Sequence, residues 1–133
     1  MIVADADVIS YFWLDVERTA VARAARRRDE EWVAPKLWRS EFRNVLYQHM
    51  EHRGLPLADA LRLAEHAEND LEDRTYDVPT EAVLRLVDDT GHSAYDCEYA
   101  ALAQRLDVTL VTGDQPVVDH FPDTAVLLED FVG

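Results

Sequence analysis

Four carboxylates stand where the surrounding pattern is apolar. Asp5 ends the run Ile2-Val3-Ala4, and Asp114 follows Leu110-Val111-Thr112-Gly113. Glu41 lies one helical turn from Leu37 and Trp38 on one side and from Val45 on the other. Asp96 precedes Tyr99 and Ala100 by one turn. A carboxylate is costly to desolvate unless it is paired or bound to a metal. Each acid has an ordinary reading by itself: Asp5 and Asp114 as turn or N-cap residues, Asp96 as the acid of a Ser93-Ala-Tyr-Asp96 capping box. Together they suit one chemistry. Mg²⁺ and Mn²⁺ are hard cations that prefer carboxylate and water ligands. One or two such ions, ~3.5–4 Å apart when paired, activate water and stabilise the leaving oxygen of a phosphodiester. Zinc is not indicated: His49 and His52, three apart on a helix, read as a polar face. Cys97, with no Cys–His pairing in view, reads as a small packed residue.

The elements around these acids are legible in outline. Met1–Ala4, Trp32–Ala34 (halted by Pro35), Thr75–Val78, Val108–Val111 and Ala125–Leu128 read as strands. Helical spacing runs over Val16–Arg28, over Leu37 to about His52, over Leu57–Leu71, from Pro79 to near Gly91, and over Ser93–Leu106. Asp114–His120 is a short turn or helix. Strands that alternate with helices, and are too apolar for burial on one face, specify an α/β fold: a parallel sheet of four to five strands covered on both sides. In such a sheet ligands sit beyond the carboxyl ends of the strands, where Asp5 and Asp114 fall.

At 133 residues the chain suits a single domain spanning 1–133. One cysteine excludes a disulfide framework, and the start MIVADADV carries no secretory signal, so a cytoplasmic protein is expected. No apolar stretch approaches the ~20 residues a membrane span needs. Net charge is −14, and all of it comes from residues 56–133, because residues 1–55 hold nine acids and nine bases. That balance argues against broad adhesion to nucleic acid or anionic membrane, but leaves room for a local arginine face. Arg39 and Arg43, flanking Glu41 in sequence, are candidate phosphate contacts, with ordinary solvated arginines as the alternative. The tract Arg26–Arg28 carries the same ambiguity, with cations at a helix C-terminus as the plain account. Trp13, Trp32 and Trp38 read as core or dimer contacts.

Four segments resemble the PIN-domain family, in particular toxins of the VapC type: IVADADVIS at the start, APKLWRSEFRNVL around Glu41, GHSAYDCEYAALAQRL around Asp96, and LVTGD at Asp114. The second and third are the specific ones, and the resemblance runs nearly end to end. It implies a three-layer α/β/α sandwich acting as a Mg²⁺- or Mn²⁺-dependent endoribonuclease, with Asp5, Glu41, Asp96 and Asp114 as the acidic quartet and Thr112 as the supporting hydroxyl. It also implies a homodimer restrained by a VapB-type antitoxin. The sequence departs from the family after the first strand, where Asp5-Ala6-Asp7 replaces the usual Asp-Thr/Ser-Asn/Ser. Ala6 lacks a hydroxyl, and Asp7 reads as the cap of the following helix or as a fifth acid near the metal.

Two rivals compete with a metal-dependent nuclease. Asp5-Ala-Asp7-Val also resembles the first motif of haloacid-dehalogenase-like phosphatases, with Asp5 as nucleophile and Asp7 as acid/base, and Gly113-Asp114 with Asp119 resembles their last. The chain is short for that fold, its only lysine, Lys36, lies too early, and Glu41 and Asp96 are left without a role. The other rival is a non-catalytic PIN-like module that dimerises and binds a partner.

Overall fold

In the computed structural model, which describes residues 1–133, five parallel strands form one sheet in the order β3-β2-β1-β4-β5. The strands are β1 (Ile2–Ala4), β2 (Trp32–Pro35), β3 (Thr75–Tyr76), β4 (Leu110–Thr112) and β5 (Ala125–Leu127). Val3 faces Val33 of β2 and Leu110 of β4, so β1 is central and takes partners on both edges. Its residues, with Val33, Ala34 and Leu110–Thr112, are almost wholly buried, which explains why these strands read as continuous apolar runs rather than alternating ones.

The chain leaves β1 in one direction, through β2 to β3, then returns through β4 to β5. Right-handed crossovers then put the helices α1 (Ala6–Trp13), α2 (Thr19–Arg28), α3 (Leu37–Arg53) and α4 (Leu57–Leu71) on one face. They put α5 (Thr80–Thr90), α6 (Ala94–Leu106) and α7 (Gln115–His120) on the other, and α8 (Leu128–Val132) comes back to pack on α2. The reversal falls between β1 and β4, so a switch point opens at their carboxyl ends. Thirty buried residues make one hydrophobic core through these layers. Trp32 and Trp38 belong to it, Cys97 is packed in it, and Trp13 lies half-buried against its edge.

Several elements differ from their sequence pattern: β2 runs on through Pro35, which pairs with Tyr76, and β3 ends at Tyr76, short of Val78. The helical spacing read from Val16 begins only at Thr19, because the Thr19 hydroxyl accepts from the Val16 amide and donates to the Leu14 carbonyl, closing a turn first. Ahead of it α1 is a separate helix, short and rich in β-branched and aromatic residues, which hides its period. The strand read from Val108 starts at Leu110. Asp107 adopts a left-handed conformation (φ +55°) and the Val108 amide still bonds back to Ala103, so α6 holds those residues. Leu128, read as strand, instead opens α8.

Arg26 does more than complement a helix terminus. Its guanidinium grips Asp70 of α4 through two bonds of 2.8 and 2.7 Å and lies over the rings of Phe12 and Trp32. Arg74 adds a third bond to Asp70 at 3.0 Å. Both partners of the fork are mostly shielded, at 17% and 19% exposure. Asp70→Ala leaves a shielded guanidinium unpaired and is expected to cost about 2–3 kcal/mol, measured as a lower urea midpoint at unchanged m-value.

Candidate functional site

The switch point gathers the acids from four elements. Asp5 follows β1 and is the N-cap of α1: its Oδ1 accepts from the Val8 amide at 2.9 Å. Its Oδ2 accepts from the Thr112 hydroxyl, and that hydroxyl in turn accepts from the Asp114 amide at 3.1 Å. Thr112, wholly buried at the end of β4, therefore ties the two acidic strand ends together. Burial pushes the Asp5 carboxyl up to about 7, and the charge of Asp7 adds to it, against hydrogen bonds from Thr112, Val8 and Gly113. The capping role expected for Asp7 belongs instead to Asp5, the residue whose extended backbone precedes the helix. Asp7 sits inside the first turn of α1, where burial and then the charges of Asp114 and Asp96 raise its pKa, with Arg18 opposing.

Glu41 and Asp96 reach the same cleft from α3 and α6. The half-buried Glu41 carboxylate accepts from the Tyr99 hydroxyl at 2.7 Å. Burial raises its pKa, the Tyr99 bond offsets part of this, and Asp96 and Asp7 raise it further. The Tyr99 hydroxyl, buried beside that charge, is pushed well above the phenol range. Ser93 is the N-cap of α6 and accepts from the Asp96 amide at 3.2 Å, the backbone half of a capping box. The other half is absent. Asp96 Oδ2 pairs with His92 Nε2 at 2.7 Å, and the His92 ring lies 4.2 Å from that of His120 on α7.

The cleft brings together Asp5, Glu41, Asp96 and Asp114, with Thr112 on Asp5 and the Asp114 backbone, and sequence reasoning missed the Tyr99 and His92 side chains that hold the other two. Tyr99 looks like core, and His92 like a loop residue; their partners lie 58 and 4 positions away. The spacing of His92 and Asp96 at one helical turn was the available signal. Arg39 and Arg43 are two residues either side of Glu41, which places them off its face of the helix. Both point at Glu68 of α4, at 2.6 and 3.5 Å, in a separate groove that also holds Lys36. Arg18, whose charge opposes the shift of Asp7, bonds Tyr11 and the Gly113 carbonyl and pairs with Glu129 of α8. Gly113 is needed here by close approach: a Cβ would meet Tyr11 at 3.0 Å and Arg18 at 3.1 Å. Gly113→Ala is expected to displace both side chains and lower the thermal midpoint by a few degrees, at about 1–2 kcal/mol, read by calorimetry.

No three of these side chains close into a ready-made ligand cage. The donor set nevertheless suits a cation such as Mg²⁺, which keeps several waters and takes only one or two carboxylates. Five acids share the cleft, three of them have raised pKa values, and Arg18 opposes only at Asp7. Such a cluster is short of positive charge.

A family model described as the PIN domain matches residues 2–120. The chain belongs to the PIN-domain family. Solved structures agree on the fold. PAE2754 from Pyrobaculum aerophilum superposes with a TM-score of 0.77 at 20% identity, over 98% of this chain and 85% of that one. FitAcB from Neisseria gonorrhoeae gives 0.70 at 20% identity, over 96% of each chain. The structure of FitAB bound to an IR36 DNA fragment gives 0.73 at 17% identity, over 96% and 95%. No curated protein matches the chain. Membership removes the support for a phosphatase: Glu41 and Asp96 join the cleft that the rival left them out of. No helix is long and apolar enough to cross a membrane.

Proposed function

We propose that this PIN-domain protein is a metal-dependent endoribonuclease and the toxin of a toxin–antitoxin pair, acting in the cytosol. The observation that carries the reading is the convergence of Asp5, Asp7, Glu41, Asp96 and Asp114 on the β1/β4 switch point, where neighbouring carboxylates help raise the pKa values of Asp5, Asp7 and Glu41 and Arg18 opposes at Asp7. Asp5, Asp96 and Asp114 would hold the cation, Mg²⁺ or Mn²⁺. When bound, that ion activates water and stabilises the leaving oxygen of a phosphodiester.

The chain's own residues do the rest. Thr112 fixes the Asp5 carboxylate against rotation and sets the Asp114 backbone behind it. Glu41 has a raised pKa and a fixed orientation through Tyr99, and it aligns the attacking water and accepts its proton. Asp7 adds negative charge at the mouth. A homodimer and a VapB-type antitoxin complete the proposal, carried by the family resemblance; an antitoxin arginine placed among these acids would supply the charge the cleft lacks.

The test is cleavage of total cellular RNA with Mn²⁺ or Mg²⁺ by wild type, by Asp96→Asn and with EDTA. Discrete fragments that vanish in both controls are the expected result, and their ends identify the substrate. Full metal-dependent cleavage by Asp96→Asn would sink the assignment.

A further inference from the structure

Beside the acids, a cleft of about 450 Å³ opens between α3 and the N-terminus of α6. One face of α3 supplies Leu37, Ser40, Glu41, Asn44 and Val45, at the i, i+3, i+4, i+7, i+8 spacing of a single stripe. Tyr95, directly before Asp96, forms the opposite wall, and Asp7 with Glu41 marks the mouth. Tyr95 is 65% exposed, a large ring left in water within one residue of a quartet acid. Leu37 and Val45 give the cleft an apolar floor, while Ser40 and Asn44 give it an exposed polar rim.

We propose that this cleft is a nucleobase pocket, taking one unpaired base of the RNA strand next to the phosphate being cut. The inference rests on the nuclease reading above and adds where the base beside the cut is held. A base is flat, uncharged and polar only at its edge. It stacks on the exposed Tyr95 ring and lies on Leu37 and Val45, and the Asn44 amide, donor and acceptor together, meets its edge. Carboxylates at the mouth repel an acidic side chain but not a neutral base, and they sit where the adjoining phosphodiester must lie. Ser40 also lines the next groove, where Lys36, Arg39 and Arg43 stand. Glu68 and Glu72 line that groove too, and its cations are paired with Asp77 and Glu68, so the next phosphate along the strand meets them by exchanging those partners. Bases in an A-form duplex are stacked and cannot enter, so the pocket selects single-stranded RNA.

The experiment compares wild type, Tyr95→Ala, Tyr95→Phe and Asn44→Ala on single-stranded oligoribonucleotides of randomised sequence, with cut ends mapped and rates measured on the best-cut sequence. Stacking on one aromatic ring predicts a KM roughly tenfold higher for Tyr95→Ala, with kcat within about twofold. Tyr95→Phe keeps the wild-type KM. Asn44→Ala relaxes the base preference at the position next to the cut. Unchanged KM in Tyr95→Ala together with unchanged cut sites in Asn44→Ala overturns the pocket while the nuclease stands. Sedimentation of the same variants covers the other occupant: a Tyr95→Ala chain that falls from dimer to monomer makes this face a contact between copies, and also overturns it. A wild type that cuts no RNA removes the nuclease reading and the pocket with it.

Discussion

Asp5→Asn is expected to lower RNA cleavage on the order of 10³-fold while making the protein more stable above neutral pH. The two effects have one cause. The folded-state pKa of Asp5 is raised to about 7, so between pH 4 and 7 the folded chain binds a proton that the unfolded chain has already released. Stability is therefore full below the unfolded pKa and falls as pH rises through the folded one. The loss is at most about 4 kcal/mol at 1.4 per unit, nearer 2 once residual solvent access is allowed for. Asparagine removes the charge and keeps the cap, since its side-chain oxygen accepts from Val8 as well as aspartate does. Urea titrations at pH 5 and pH 8 should show the variant gaining about 2 kcal/mol at pH 8 and less than half of that at pH 5. A variant that is less stable at both pH values would mean that the Asp5 carboxylate is a structural anion, and the site would lose its central member.

The same electrostatics explain what was legible in the sequence. An acid at the end of a buried strand, or inside an apolar helix stripe, shows in the pattern because folding ordinarily excludes it; Asp5, Asp114, Glu41 and Asp96 were visible for that reason. Tyr99 and His92 were not, because their types are ones that ordinary packing also uses; Thr112 was legible only through the family resemblance. The Arg26–Asp70 fork spans 44 positions and carries no local signal. Arg39 and Arg43 stand off the Glu41 face, because a helix turns through about 200° in two residues, and their pairing with Glu68, more than twenty positions on, carries no local signal. The strands and the long amphipathic helices were readable from period. The short α1 was not, because nearly every side of it meets protein.

Adding Mn²⁺ to the metal-free protein is expected to raise its thermal midpoint, and to do so more at pH 8 than at pH 5. Asp5, Asp7 and Glu41 all have raised pKa values, each chiefly through burial and then through other carboxylates, so each opposes folding once ionised. A divalent ion turns that repulsion into attraction, and it competes with protons for the same oxygens. At a hundredfold excess over its dissociation constant, a ligand that binds only the folded chain contributes about 2.7 kcal/mol, or roughly 8–12 °C for a domain of this size. At pH 5 Asp5 is protonated, and the shift should shrink to a fraction of that. EDTA should reverse it. Asp114→Asn should blunt it at pH 8 without unfolding the chain, because the Asp114 amide, not its carboxylate, makes the bond to Thr112. A calorimetric scan with Mn²⁺, with Mg²⁺ and with EDTA at the two pH values separates the readings. A folded wild type that shows no shift at pH 8 with either ion binds no metal at this cluster. The acids would then be a face for a basic partner, and the protein a PIN-domain interaction module rather than a nuclease.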